Sequence, residues 1–465
     1  MKTAFSKLAS PKSLLLLFVF FFWVANYSYV PILSTYAVTL GASYALTGMI
    51  VGSYGFVQIF ARLPIGMASD ALGRRRVFLI VGAAATALSG IGFYFSFAPV
   101  WMLIFRSVSG LAVSTWAIQM TAYVSYFGET GRVKAIGNIC SVQALGMVFG
   151  TFFGGLFAQF FGVRSTFAAT LAASAVALVL LCFYSEKRAG GSEASQDAPG
   201  KMESGDRLPD KPAAAVHSLD VAADLPAAAV QASATAFVSV PLPSQKAPRR
   251  ALRPAKPPRP APSGGPSVRQ TLSVLRDGHL LWFSAACMLM QIVAQGACFG
   301  FVNNILQDLG ANSFMLGLSS TLVTFPAIFS SVLAVGLLKN KFGAKSTLFS
   351  YFLVMSASVV AFAFIKNIYL ILALQFACGF CRGAISALLT GVATSRTQPR
   401  LRSAATALFQ AIYGIGMTAG PFIAGLFLDK YNLIVAFIAL GALTFLGGLA
   451  VLAGDTGDKK LEAGT

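Results

Sequence analysis

The sequence predicts an all-α integral membrane protein whose two halves are pseudo-symmetric bundles of six helices each. Three observations carry this prediction. The 465 residues are 56% hydrophobic and only 11% charged, far too little charge to cover a soluble protein of this length. Apolar runs of about 20 residues recur from end to end, each able to cross a hydrocarbon layer of roughly 30 Å. Distinctive residues also repeat at one fixed offset. Gly66 and Gly336, Gly73 and Gly343, Arg132 and Arg402, Gly146 and Gly416, Gly150 and Gly420, and Gly155 and Gly425 each stand 270 residues apart. An insertion-free register across five spans indicates a duplicated six-helix unit.

The chain opens on Lys2, Lys7 and Lys12 followed by an apolar run from Leu14 to Val24, as a signal peptide would. The run continues past Asn26 and Tyr29 towards Val38 with no small-residue cleavage site, so it is an uncleaved first span. Further spans are expected at 46–69, 77–97, 100–124, 134–159 and 164–184, then at 280–306, 313–338, 346–365, 368–393, 403–428 and 432–453. The predicted organisation is a six-helix bundle over 1–184, a linker over 185–278, a second bundle over 279–453 and a tail over 454–465. The linker is rich in Ala, Pro, Ser and charge, cannot bury enough apolar area to offset its chain entropy, and is expected to be a disordered cytoplasmic tether. Its half from Lys246 to Arg276 is basic, which adds attraction to anionic lipid of roughly 1 kcal/mol per basic residue.

The net charge of +19 reports topology rather than a nucleic-acid partner. Arg74 to Arg76, Arg132 and Lys134, Lys339, Lys341 and Lys345, and Arg396, Arg400 and Arg402 fall in alternate gaps, whereas the intervening gaps hold Arg164, Lys366 and Lys430. Positively charged loops stay inside, so both termini are expected in the cytoplasm and the protein in the cell membrane. The six cysteines all lie in apolar segments, against a disulfide scaffold. Cys378 and Cys381 have C-x-x-C spacing but sit mid-span without a second pair or a nearby histidine, and are read as small packing residues. No metal site or cofactor is expected.

The most informative stretch is Gly66 to Arg76, GMASDALGRRR. Gly66 allows close helix approach, Asp70 can cap a neighbouring helix or pair with an arginine, Gly73 permits a turn with φ > 0, and Arg74 and Arg75 hold the loop inside with Arg76. This G-x-x-x-D-x-x-G-R-R-R arrangement resembles the loop between the second and third helices of the major facilitator superfamily of secondary transporters. The resemblance covers both helical halves and implies the fold of that superfamily, a monomer, and a small-molecule substrate moved by alternating access. It also implies that the loop latches the halves together on the cytoplasmic side, with Asp70 near Arg402 and Ser403. The second copy has Asn340 for the acid and Ala344 for a base.

The fifth span carries Gly146, Gly150, Thr151, Gly154 and Gly155, and the eleventh carries Gly416, Gly420, Pro421 and Gly425. Glycines at such spacing make flat faces for helix crossing. The pattern on the fifth span resembles that of antiporters, particularly the drug:proton branch, with Thr151 where proline is usual. Arg106-Ser-Val-Ser-Gly110 in the fourth span resembles the R-x-x-x-G motif of the superfamily.

Arginines within a bilayer must face a partner or a water-filled cavity. Arg62 is near the cytoplasmic end of its span and is expected to snorkel or brace the loop. At 1.5 Å per residue Arg106 lies about 10 Å and Arg382 about 20 Å from the outer surface, making Arg382 the foremost candidate substrate contact. The spans contain no mid-membrane Asp or Glu, so the cavity suits an anionic or neutral polar substrate better than a lipophilic cation. Since the first, fourth, seventh and tenth helices line the pathway in the superfamily, Asn26, Tyr29, Trp116, Gln119, Gln291 and Gln295 are further candidates. Asn26 and Tyr29, and Gln291 and Gln295, each share a helix face.

Within this reading two substrate classes stay open. The charge inventory favours an exported or exchanged organic anion or polar metabolite, and the fifth-span glycines favour a multidrug:proton antiporter. Protons are the candidate coupling ion. A third reading is a non-transporting sensor or scaffold acting through the linker. An enzyme is not expected, since no acid, histidine or cysteine nucleophile stands in an active-site arrangement.

Overall fold

The computed structural model describes residues 10–127, 131–185, 273–333, 343–398 and 401–455. The Gly336 to Asn340 copy of the loop motif, most of the expected linker, the tail from residue 456 and the side chains of Arg402 and Ser403 lie outside the described residues. Among those described there is no strand, and twelve helices are long and apolar enough to span a membrane. They are α1 (Pro11–Thr39), α2 (Tyr44–Leu72), α3 (Arg75–Tyr94), α4 (Pro99–Val124), α5 (Lys134–Phe161), α6 (Arg164–Phe183), α7 (Gly278–Asp308), α8 (Ser313–Ser330), α9 (Ala344–Ala361), α10 (Ile368–Thr394), α11 (Ala404–Lys430) and α12 (Leu433–Ala453).

Local chemistry sets many of the ends. Ser10, Ser43, Asp277, Asn367 and Asn432 accept hydrogen bonds from first-turn N–H groups of α1, α2, α7, α10 and α12, satisfying donors that a helix leaves orphaned. Gly73 ends α2 at φ 59°, its N–H donating to the Ser69 carbonyl at 3.0 Å, which is the left-handed C-cap that glycine adopts most readily. Arg76 donates from Nε and Nη2 to the Leu181 and Cys182 carbonyls at 3.1 and 3.0 Å. One arginine of the loop thus serves the last turn of α6, placing positive charge at the negative end of that helix.

Three spans are irregular inside the membrane. α1 breaks at Ser28–Tyr29, just before Pro31, and α4 breaks at Ser114–Thr115. α7 contains a π-helical segment, Ala294–Phe301. The 270-residue register carries Ser28 and Tyr29 onto Cys298 and Phe299, inside that segment, so the first helix of each half departs from α geometry at the same place. Irregular backbone at membrane depth is tolerated where protein surrounds it or a cavity opens beside it.

The glycine repeats account for the tight packing. Added Cβ atoms at Gly146, Gly150 and Gly154 would strike the Phe20, Val24 and Ser28 carbonyls of α1. At Gly416 and Gly420 they would strike the Met288 and Ile292 carbonyls of α7. The same stripe therefore docks α5 on α1 and α11 on α7. Gly155 and Gly425 point the other way, across the two halves: Gly155 meets Gly317 of α8, and Gly425 meets Tyr44 of α2.

Contacts between the halves concentrate at the end of the molecule that carries the α1–α2, α7–α8 and α11–α12 turns. Gly48 abuts Pro421, and Gly52 and Gly55 abut Thr418. Thr151 and Thr321 pair their hydroxyls at 2.9 Å, and Asn303 donates to the Pro31 carbonyl at 2.7 Å. Gly66, expected at a close helix crossing, has open space where a Cβ would lie, because in this state the halves meet at the opposite end of α2. Asp70 is exposed and forms no hydrogen bond or ion pair with a described residue.

Candidate functional site

The centre of the molecule, between the halves, collects arginine and tyrosine. Arg106 on α4 is buried, with 6% of its surface exposed. Its Nη1 donates to Tyr29 Oη at 2.6 Å, and its guanidinium carbon lies 4.2 Å from the ring centroid of Tyr54 on α2. Behind it runs a polar relay: Tyr29 Oη pairs with Ser109 Oγ at 2.7 Å, Ser109 donates to Asn26 Oδ1 at 3.2 Å, and Asn26 Nδ2 reaches Thr86 Oγ1 at 3.2 Å. Asn26 and Tyr29 do share a face of α1, and that face looks into the N-terminal bundle. They fix Arg106 in place. The α1 residues that turn to the cavity are Tyr27, Val30 and Leu33, three apart along the neighbouring face of the helix.

Arg382 on α10 is half-buried. Its guanidinium carbon lies 5.5 Å from the Phe299 ring centroid, and its Nη2 is 3.5 Å from the Val323 carbonyl. Tyr413 on α11 is a neighbour of Arg382. Tyr27 lies near Arg106, Arg382 and Tyr54.

Arg62 departs from expectation. It is half-buried rather than extended into the loop; its Nη2 donates to Gln58 Oε1 at 2.8 Å, and it lies in the field of Tyr54 and Tyr413. The reason is helical phase. Tyr54, Gln58 and Arg62 are spaced by four on α2 and line one face, a signal present in the sequence.

A cavity of about 40 Å³ is lined by Tyr27, Tyr54 and Arg106 from one half and Gln295, Phe299 and Met417 from the other. It has room for about three water molecules, so loading a metabolite requires the halves to part further. The π segment brings both Gln295 and Phe299 to its wall. Gln291 lies elsewhere, fully buried against Gly416 with both amide atoms lacking partners. Trp116 and Gln119, expected on the face of Arg106, sit inside the N-terminal bundle. Trp116 packs edge-on to Trp23 at 5.5 Å, and Gln119 donates to Thr115 Oγ1 at 3.2 Å. At 100° per residue Trp116 lies about 80° and Gln119 about 140° round the helix from Arg106, so neither shares its face.

The electrostatics of the centre are one-sided. The described carboxylates, Asp70, Asp277, Asp308, Asp429 and Asp455, all stand at span ends or beyond them, and none faces the arginines. Such a site can neutralise and orient an oxyanion; it has no fixed negative charge with which to hold a cation.

Comparison with known proteins agrees with this architecture. The Major Facilitator Superfamily profile matches residues 15–304 and 281–464. An uncharacterized MFS-type transporter of Methanocaldococcus jannaschii is 27% identical over 157 residues, 32% of this chain and 40% of that protein. The inner membrane transport protein YajR of Escherichia coli is 30% identical over 154 residues, 32% of this chain and 33% of that protein. The matched stretch thus spans less than half the length of these relatives. The solved structure of the nucleoside transporter NupG superposes with a TM-score of 0.69 at 13% identity, covering 96% of this chain and 98% of that one, a likeness of fold.

Proposed function

Because this chain belongs to the Major Facilitator Superfamily, whose members are secondary transporters and not enzymes, we propose that it exports or exchanges a small organic anion or polar metabolite across the cytoplasmic membrane by alternating access. One observation carries the substrate class: Arg106 from the N-terminal half lines the central cavity and Arg382 from the C-terminal half stands against Phe299 of its wall, with no described carboxylate beside them. A buried guanidinium without a counter-ion is costly, and an anionic substrate supplies the missing charge.

With basic loops inside and both termini cytoplasmic, the sealed end is the outer one and the structure is inward-facing. Closure at the outer end comes from Gly48, Gly52, Gly155 and Gly425, which let α2 and α5 lie directly on α11 and α8. Opening to the outside would part those contacts and bring Asp70, with Arg74 and Arg75, against the inner end of α11.

The test is counterflow in proteoliposomes of the purified protein, using labelled carboxylates and phosphate esters beside lipophilic cations. Anion flux that collapses in Arg382→Ala supports the reading. A multidrug:proton antiporter is the second reading, favoured by the glycine stripe on α5. It requires cation flux that survives Arg382→Ala, and that result would replace the first reading.

A further inference from the structure

Three guanidiniums within the spans, not two, leave the same atom unused. Nε of Arg62, Nε of Arg106 and Nε of Arg382 are all buried without a hydrogen-bond partner. A buried donor left unpaired is expensive, and more so when it is charged. Such atoms call for a partner that the folded chain does not itself supply: an ordered water, an ion or a ligand.

Arg106 lines the central cavity, Arg382 stands against Phe299 of its wall, and Arg62 lies further along the α2 face that carries Tyr54 and Gln58, so that these arginines and the tyrosines beside them form a loose ring. Tyr54 lies against Arg106 and in the field of Arg62; Tyr27 lies in the field of Arg106 and Arg382; Tyr413 lies in the field of Arg382 and Arg62. α1, α2 and α4 supply four members and α10 and α11 supply two, so the ring crosses from one half to the other. Its formal charge is three positive, with phenolic O–H groups as additional donors. A monocarboxylate would leave two of these charges uncompensated.

Building on the anion reading above, we propose that the substrate is a multiply charged oxyanion, with at least two negative charges, and that Arg62 is the specificity residue that counts them. A phosphate monoester and a di- or tricarboxylate share this chemistry. Arg106 and Arg382 hold any oxyanion from opposite halves. Arg62, one helical turn beyond Gln58 on the open side of the ring, engages the additional charge. A substrate that bridges all three draws α2, α4 and α10 together, so its charge number sets how strongly it favours the closed ring over the open one.

The test is ligand-dependent thermal stability of the full-length protein in detergent at fixed ionic strength, since a ligand that binds the folded state raises the midpoint with occupancy. The probes are citrate, glucose 6-phosphate, lactate, glucose and tetraphenylphosphonium. At least one of citrate and glucose 6-phosphate should bind about tenfold or more tightly than lactate, and which of them does so separates carboxylate from phosphate chemistry. In Arg62→Gln that ratio should fall towards one, and Arg62→Lys, which keeps the charge, should restore most of it. A purely structural role for Arg62 would weaken all ligands alike and leave the ratio unchanged. Equal affinity for lactate and both polyanions, an unchanged ratio in Arg62→Gln, or no shift with either polyanion overturns the proposal. If lactate still binds and Arg382→Ala abolishes it, the anion reading survives that failure. Shifts with glucose or tetraphenylphosphonium alone overturn the anion reading as well.

Discussion

The Asp429 carboxylate at the end of α11 accepts hydrogen bonds from the backbone N–H of Tyr44 at 2.9 Å and of Ala45 at 2.8 Å. It thereby caps the N-terminus of α2, a helix of the other half. α2 and α11 run antiparallel, and Asp70 stands exposed at the far end of α2. In this state the pair is joined by an aspartate cap at its Asp429 end. An N-cap of this kind is worth about 1 kcal/mol.

Removing that cap should loosen the sealed end. In Asp429→Ala, the distance between spin labels at Thr39 and Tyr431 should lengthen in part of the population. The ratio of open to sealed molecules should rise by a factor of about five, the equivalent of about 1 kcal/mol. An unchanged distance distribution would mean that the remaining contacts between the halves hold the seal without this cap.

Asp70→Asn should act in the opposite sense. The state described here does not use Asp70, so thermal stability in this state should barely change. The population sealed at the other end should shrink, and transport with it. A variant that keeps both the wild-type flux and the wild-type population ratio would remove the latch role from Asp70.

The seal is also steric. Gly155→Leu would force a side chain into Gly317, and Gly48→Leu would force one into the Pro421 carbonyl. Overpacking of this sort costs about 1–3 kcal/mol, borne only by the sealed state. In a background lacking the six native cysteines, Val51→Cys should become more reactive to a membrane-impermeant maleimide in either variant. Unchanged reactivity would place the constriction elsewhere.

Thr151 stands where the antiporter pattern has proline, and its hydroxyl meets Thr321 of α8 at 2.9 Å. Thr151→Val keeps the shape and removes the bond. The expected cost to the sealed state is about 1 kcal/mol, readable in the same labelling assay, with no change in apparent ligand affinity at the ring.

Tyr29→Phe deletes the acceptor of Arg106 Nη1 while leaving the cavity wall intact. The stranded donor should lower the thermal midpoint by the equivalent of about 1–3 kcal/mol. Anion affinity should fall with it as Arg106 loses its orientation. A fall in stability with full affinity would show that Tyr54 alone orients the guanidinium.

The sequence by itself determined the twelve spans, because burial in hydrocarbon needs long apolar runs and because charge is excluded from them. The 270-residue register followed from glycines whose positions the packing of α5 on α1 and of α11 on α7 requires. The absence of mid-span acids was legible too, and with it the charge of the centre. What only the tertiary structure decided is which polar side chains reach that centre. Asn26 and Tyr29 share a face as periodicity requires, but that face turns into the N-terminal bundle, and Trp116 and Gln119 lie about 80° and 140° round the helix from Arg106. Which way a face is turned depends on what packs against it. Tyr27, Tyr54 and Tyr413 belong to three different helices, and only Tyr54, in phase with Gln58 and Arg62, is marked by a local pattern. Arg62 looked like a loop residue from its depth alone, until the face it shares with Tyr54 and Gln58 was fixed by α2 lying against α11. Composition and periodicity report how each helix meets the membrane; how the helices meet one another is settled by long-range packing, and the ring of arginines exists only there.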